Sequence, residues 1–177
     1  MKRLFSITAM ALLVGIGLVS MTAGATGPHK HPLFVRAWLS GYNEVANPPA
    51  PSTISSPGRG FFRAVVDEDA QTIQYWLTYS DVAIAQSHLH LGAHHTAGGV
   101  SVFLCTNLGN SAGTQACPAA PAQITGTITP ANVIGPAGQG IAATEFGELV
   151  DAIRHHAVYV NIHSPTYPLG EIRGQLE

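Results

Sequence analysis

The segment His88-Leu89-His90-Leu91-Gly92 carries the densest chemistry in the 177-residue chain. In an extended strand, side chains two apart share a face. His88 and His90 therefore project together, and Leu89 and Leu91 point to a core. Adjacent imidazoles repel when protonated and make a poor surface, but they hold a metal ion well. His163 ends another apolar run. There Val158, Val160 and Ile162 face the core, and Tyr159, Asn161 and His163 the other side. If both strands lie in one sheet, His88, His90 and His163 converge on one polar face. Imidazoles without thiolates suit Cu(II) or Zn(II) and not Ca or Mg, which take oxygen. The competing reading is that these are polar-face histidines satisfied by ordinary hydrogen bonds. His94 and His95, in the Gly-rich stretch that follows, are reserve ligands. His155 and His156 fall where a helix should end, and an imidazolium there favours the helix dipole. His29 and His31 belong to a solvated lead.

Other candidate chemistry is thin. There is no phosphate-binding Gly-rich loop and no carboxylate pair in a plausible cleft. Asp67-Glu68-Asp69 lacks the spaced oxygen ligands of a Ca site and reads as a solvated turn. Glu171 and Arg173 lie two apart on the last strand. Arg173 is expected to pair with Glu171 or Glu44, or to present a cation beside the metal face.

The elements that must position these residues are short strands. Leu33, Val35, Ala37 and Leu39 alternate along a first strand. Arg59 to Val66 makes a second, and Asp67-Glu68-Asp69-Ala70 turns into a third, Thr72 to Tyr79. Further strands are expected at Val82 to Leu91, Val100 to Cys105, Ala122 to Thr129, Ala157 to His163 and Gly170 to Leu176. Such strands, punctuated by Gly, Pro and Asn, predict an all-β antiparallel Greek-key sandwich or barrel. One helix competes: Phe146, Leu149, Val150 and Ile153 recur at helical spacing, predicting Glu145 to Arg154 with Thr144 as cap. Asn43 to Pro57 is a Pro-rich loop suited to contacts.

Composition narrows the function. Eight Lys+Arg against ten Asp+Glu leave no basic footprint for nucleic acid. A 46 % hydrophobic fraction with a net charge of −2 excludes disorder. Nine His against so few ionised groups make imidazole the main chemistry available. Lys2 and Arg3, the apolar run Leu4 to Val19 and the small residues Ala23-Gly24-Ala25 read as a cleavable signal peptide over 1–25. A flexible lead over 26–32 and one domain over 33–177 follow. The run is too short and too rich in small residues for a retained anchor, so no membrane span is expected after cleavage. The mature chain then carries six basic and ten acidic residues, and is expected in the periplasm or secreted. That oxidising setting favours pairing Cys105 with Cys117, which would add about 3 kcal/mol on the chain-entropy model. A thiolate metal ligand or two free thiols are the alternatives.

Four motifs in order resemble the CHRD domain, the module named from chordin and widespread in exported bacterial proteins. They are Leu39-Ser40-Gly41-Tyr42-Asn43-Glu44-Val45, His88-Leu89-His90-Leu91-Gly92, Tyr159-Val160-Asn161-Ile162-His163-Ser164 and Gly170-Glu171-Ile172-Arg173-Gly174-Gln175-Leu176. The resemblance runs from about Phe34 to Leu176 and implies an exported, immunoglobulin-like all-β domain. Kinship to chordin, which binds growth factors, implies a protein-binding or adhesive module with an exported partner. The His pattern is also similar to that of Cu,Zn superoxide dismutase. That similarity implies copper at His88, His90 and His163, with His94 or His95 as a further ligand and Arg173 guiding an anion. No zinc subsite with its Asp is found, and the loop from His90 to Val100 is short. The leading expectation is an exported copper-binding domain, zinc being the alternative metal, with dismutase-like redox activity. The competing one is a non-catalytic binding module.

Overall fold

The computed structural model describes residues 30–45 and 52–177. Residues 1–25 (expected to be a signal peptide), His29, most of the 26–32 lead and residues 46–51 of the Pro-rich loop lie outside the described residues.

Eight strands form one antiparallel sheet that curls toward a barrel. They are β1 (Leu33–Ser40), β2 (Arg59–Asp67), β3 (Thr72–Ser80), β4 (Gln86–Leu91), β5 (Val100–Thr106), β6 (Ala122–Ile128), β7 (Val158–His163) and β8 (Ile172–Gln175). Their order is β5-β4-β7-β8-β1-β2-β3-β6, so the chain crosses over after β3, β5 and β6 in Greek-key fashion. Alternation decides which face is inside. Val35, Ala37 and Leu39 of β1, Phe62, Ala64 and Val66 of β2, and Ile73, Tyr75, Leu77 and Tyr79 of β3 are all buried in one core. The same core takes Leu89, Val102, Leu104, Val158, Val160 and Ile162 from the other half of the sheet.

The two sheet edges, β5 and β6, are bridged rather than paired. The Gln115 amide reaches Leu104 O on β5 at 3.2 Å, Thr125 O on β6 at 3.0 Å and the Tyr75 hydroxyl at 2.8 Å. A disulfide joins Cys105, on β5, to Cys117 beside this glutamine, as the compartment argument expected.

One helix, α1 (Phe146–Arg154), buries Phe146, Leu149, Val150 and Ile153 in the core, the stripe that the sequence spacing requires. Thr144 does not cap it. The cap residue is Glu145, without a side-chain cap bond, and its carboxylate instead accepts from Ala142 N at 2.6 Å. The strand expected from Val82 starts only at Gln86. Asp81 takes a left-handed φ of 55° that interrupts the sheet. Val82 and Ile84 are buried from a loop, so their alternation reported burial without pairing.

The Asp67–Ala70 turn is more than a solvated corner. Asp67 caps it through Ala70 N at 2.9 Å. Glu68 lies between Lys30 Nζ at 2.5 Å and the Arg154 guanidinium at the end of α1, and these two cations hold its carboxyl below the usual range. No helix among the described residues is long and apolar enough to cross a membrane.

Candidate metal centre

The register of three neighbouring strands builds the site. Across β4 and β7, Gln86 faces His163, His88 faces Asn161 and His90 faces Tyr159. Across β7 and β8, Asn161 faces Arg173 and Tyr159 faces Gln175. All these side chains stand on the sheet face opposite the apolar core. His88 and His163 are thus diagonal neighbours, with ring centroids 4.8 Å apart, and His90 lies 5.3 Å from His88 and 5.8 Å from His163. The three histidines expected to converge do so. Each contributes a ring nitrogen to a set lying within 4.8 Å of one another.

This face is polar but not open. His88 is 2 % exposed, His90 and His163 7 % each. Phe103 on β5 meets the His88 ring edge-on at 4.3 Å. Three connections supply the rest of the cover. Gly98 O takes a 3.0 Å hydrogen bond from His90 Nδ1, Pro168 O takes one of 3.0 Å from His163 Nδ1, and Glu44, just after β1, binds Asn161 Nδ2 at 2.6 Å. Burial disfavours the charged imidazoles. It pushes His88 down to about 2, reinforced by His163 and His90, and holds His90 and His163 at about 4. At neutral pH all three are uncharged, the form that binds metal.

The hydrogen bonds also set which nitrogens are free. With Nδ1–H committed to a backbone carbonyl, His90 and His163 each turn an Nε2 lone pair inward, the arrangement that orients metal-ligating histidines. His88 Nδ1 lies 3.1 Å from His163 Nε2, while His88 Nε2 and His90 Nε2 are buried without any partner. Orphaned buried nitrogens are costly in a protein that leaves them so. Bonds of about 2.0–2.1 Å place neighbouring donors on one ion about 2.9–3.4 Å apart. The 3.1 Å contact falls in that range, and one nitrogen from each of the three rings lies within 4.8 Å of the others. The residues fit a transition-metal ion.

Around these rings sits a stack. The His90 ring lies parallel to Tyr159 at 4.8 Å, and the Arg173 guanidinium covers Tyr159 at 3.5 Å. The Tyr159 hydroxyl accepts from Gly98 N at 3.1 Å, closing the same loop that orients His90. Arg173 forms neither expected ion pair by hydrogen bond. It donates to Thr96 O at 2.7 Å, to Ala93 O at 3.0 Å and to Gln175 Oε1 at 3.1 Å. Glu171 instead accepts from Ser56 Oγ at 2.5 Å. Arg173 is 2 % exposed, so it straps down the loop after β4 from within.

His94 and His95 are exposed in that loop and lie outside the three-histidine set. His94 Nε2 is 3.9 Å from Glu177 Oε1. His155 and His156 do follow α1. Their Nδ1 atoms donate to Asp151 O at 2.8 Å and Leu176 O at 3.3 Å. Sequence reasoning missed Gly98 and Pro168, which act through backbone oxygen and leave no side-chain signal. It placed Tyr159 and Asn161 on the right face without a role. Glu44 was expected only as an alternative ion-pair partner of Arg173, and not as the acceptor that holds Asn161.

The family model of the CHRD domain matches residues 35–176. No curated protein and no solved structure matches the chain. All four sequence motifs meet at this site, through Glu44, His88 and His90, Asn161 and His163, and Arg173, and with the family match spanning nearly every described residue, the chain belongs to the CHRD domain family.

Proposed function

We propose that this chain is an exported CHRD-domain protein that binds a transition metal, copper in preference to zinc, through His88, His90 and His163. One observation carries the reading: three imidazoles are buried together, two with Nδ1 tied to a carbonyl, and two Nε2 atoms are without partners. The all-imidazole set favours copper, since divalent affinity at nitrogen sites peaks at Cu(II). Zinc fits the same donors and is the alternative. The disulfide and the apolar N-terminal run support export.

When bound, copper supplies one-electron chemistry. A dismutase-like activity at this site rests on the similarity of the His pattern to Cu,Zn superoxide dismutase. In that reading the chain's own residues bind the ion, fix its ligands and exclude bulk water. Arg173 acts by holding the 93–96 loop closed over Tyr159, and its positive charge favours an approaching anion.

The test is the tag-free chain loaded with Cu(II) and compared with the His88→Ala, His90→Ala double variant. Nitrogen hyperfine coupling in the EPR spectrum and one tightly held copper per chain, both lost in the variant, are expected. Unchanged coupling and affinity in the variant would remove the site. Superoxide consumption no faster than free copper would remove the redox role and leave the binding role standing.

A further inference from the structure

A second chemistry occupies the outward face of β1, β2 and β3, away from the histidines. Phe34 and Trp38 are 73 % and 71 % exposed, Trp38 lies 4.4 Å from Phe61, and the Arg63 guanidinium sits 4.8 Å over Trp76. The β1–β2 register sets Arg36 directly opposite Arg63, a like-charge pairing that destabilises a sheet. Among the described residues neither guanidinium meets a carboxylate. Arg59, on the same face, donates only to the carbonyls of Ser56 and Gly58. Three of the six basic side chains in the described residues therefore share one sheet face. No Asp or Glu occupies an outward position from Phe34 to Ser40, Arg59 to Val65 or Gln74 to Ser80. Glu177 stands at one rim, and Asp81, just past β3, accepts from the Ser80 hydroxyl at 2.9 Å.

The surface is concave on both sides of Phe61. One depression of about 670 Å³ is lined by Trp38, Asn43, Arg59, Thr78 and Ser80, and another of about 550 Å³ by Phe34, Arg36, Arg63 and Trp76. Each joins an aromatic plane to a guanidinium, and the first adds hydroxyl and amide groups.

We propose that this face binds an acidic polysaccharide, a polymer of uronate type. Aromatic planes stack on the C–H faces of pyranose rings, and the arginine fork matches a carboxylate bidentately. Asn43, Thr78 and Ser80 suit sugar hydroxyls. Charge complementarity also disfavours the simplest other occupant, a second copy docked face to face, because that would set one arginine-bearing face against another. A hydrocarbon surface would bury three guanidinium charges without a carboxylate to answer them. The inference is independent of the metal.

Affinity electrophoresis and calorimetry of the full chain with polygalacturonate test it. The expected result is binding that weakens with salt and is absent with the fully methyl-esterified polymer. It falls at least tenfold in Trp38→Ala and in the Arg36→Ala, Arg63→Ala double variant, while Trp38→Tyr retains it. These side chains are exposed, and unchanged thermal unfolding of each variant checks the fold. The proposal is overturned if polygalacturonate does not bind, or if its methyl ester binds equally. Binding of polyglutamate that ignores Trp38→Ala would assign the face to acidic protein, and binding confined to anionic vesicles would assign it to membrane; either overturns it.

Discussion

His88 Nδ1 and His163 Nε2 lie 3.1 Å apart although 75 residues separate them. The contact exists because β4 and β7 pair in a register that sets His88 against Asn161 and Gln86 against His163. A shift of one residue would send one ring of the pair into the apolar core. The metal-binding proposal is therefore a statement about register, and its consequences reach stability as well as binding.

Acid should destabilise the metal-free protein early. The three histidines titrate well below their ordinary 6.5 when folded, His90 and His163 at about 4. The unfolded chain therefore binds more protons than the native one below pH 6.5. Their contribution is fully present above pH 6.5 and is lost as pH falls toward 4. By pH 5 the loss is on the order of 2 kcal/mol for each of His90 and His163. Thermal unfolding of the apo chain from pH 7.5 to 5 should show this slope, and His163→Gln should flatten it.

Glu44 should act in the opposite sense. Burial raises its carboxyl from 4.5 to about 7 despite the bonds from Val45 N and Asn161. The native state thus holds a proton that the unfolded state has released between pH 4.5 and 7. Stability from this group is complete below 4.5 and declines as pH rises through 7. Glu44→Gln, which fixes the neutral form, is expected to gain stability relative to the native chain as pH goes from 6 to 8.5. Rotation of the Asn161 amide would offer Oδ1, which has no partner, to the new NH₂. Denaturant titrations at the two pH values check it.

Gly170 should resist substitution. Its φ is +136°, and a Cβ there would come within 2.6 Å of Glu44 Oε2 and 2.7 Å of Asn161 Nδ2. Gly170→Ala is expected to cost about 3 kcal/mol from backbone strain and contact together. Because Pro168 in the same loop orients His163, copper affinity should fall with it. Urea unfolding and copper titration of the one variant read both effects.

Removing the disulfide should separate stability from binding. Cys105→Ser with Cys117→Ser is expected to lower stability by about 3 kcal/mol, with the copper stoichiometry unchanged, because neither sulfur belongs to the histidine set. Chemical denaturation with and without reductant, beside metal analysis, measures it.

The parts of this molecule legible in the sequence were those written in side-chain periodicity. Ile73, Tyr75, Leu77 and Tyr79 announced β3, the spacing of Phe146, Leu149, Val150 and Ile153 announced α1, and His88 and His90 announced a shared face. Periodicity failed where burial came without pairing, as at Val82 and Ile84. It was silent where the backbone does the work. Arg173 binds Ala93 and Thr96 carbonyls, which no residue type advertises, so neither expected partner, Glu171 or Glu44, hydrogen-bonds it. The burial of the histidine face depends on Gly98, Pro168 and Glu44 arriving from three distant connections. That meeting is a property of topology, so the sequence showed a polar face and not its burial.

The Gln115 bridge between β5 and β6 bears on how such a chain avoids association through its sheet edges. An unpaired strand edge is a template on which a second chain can add. Here one glutamine amide satisfies carbonyls on both edges at once, and the neighbouring disulfide keeps its loop in place. A bridge of this kind hinders strand addition where the two edges meet, and solubility at high concentration should depend on an oxidised Cys105–Cys117 pair more than on the small net charge.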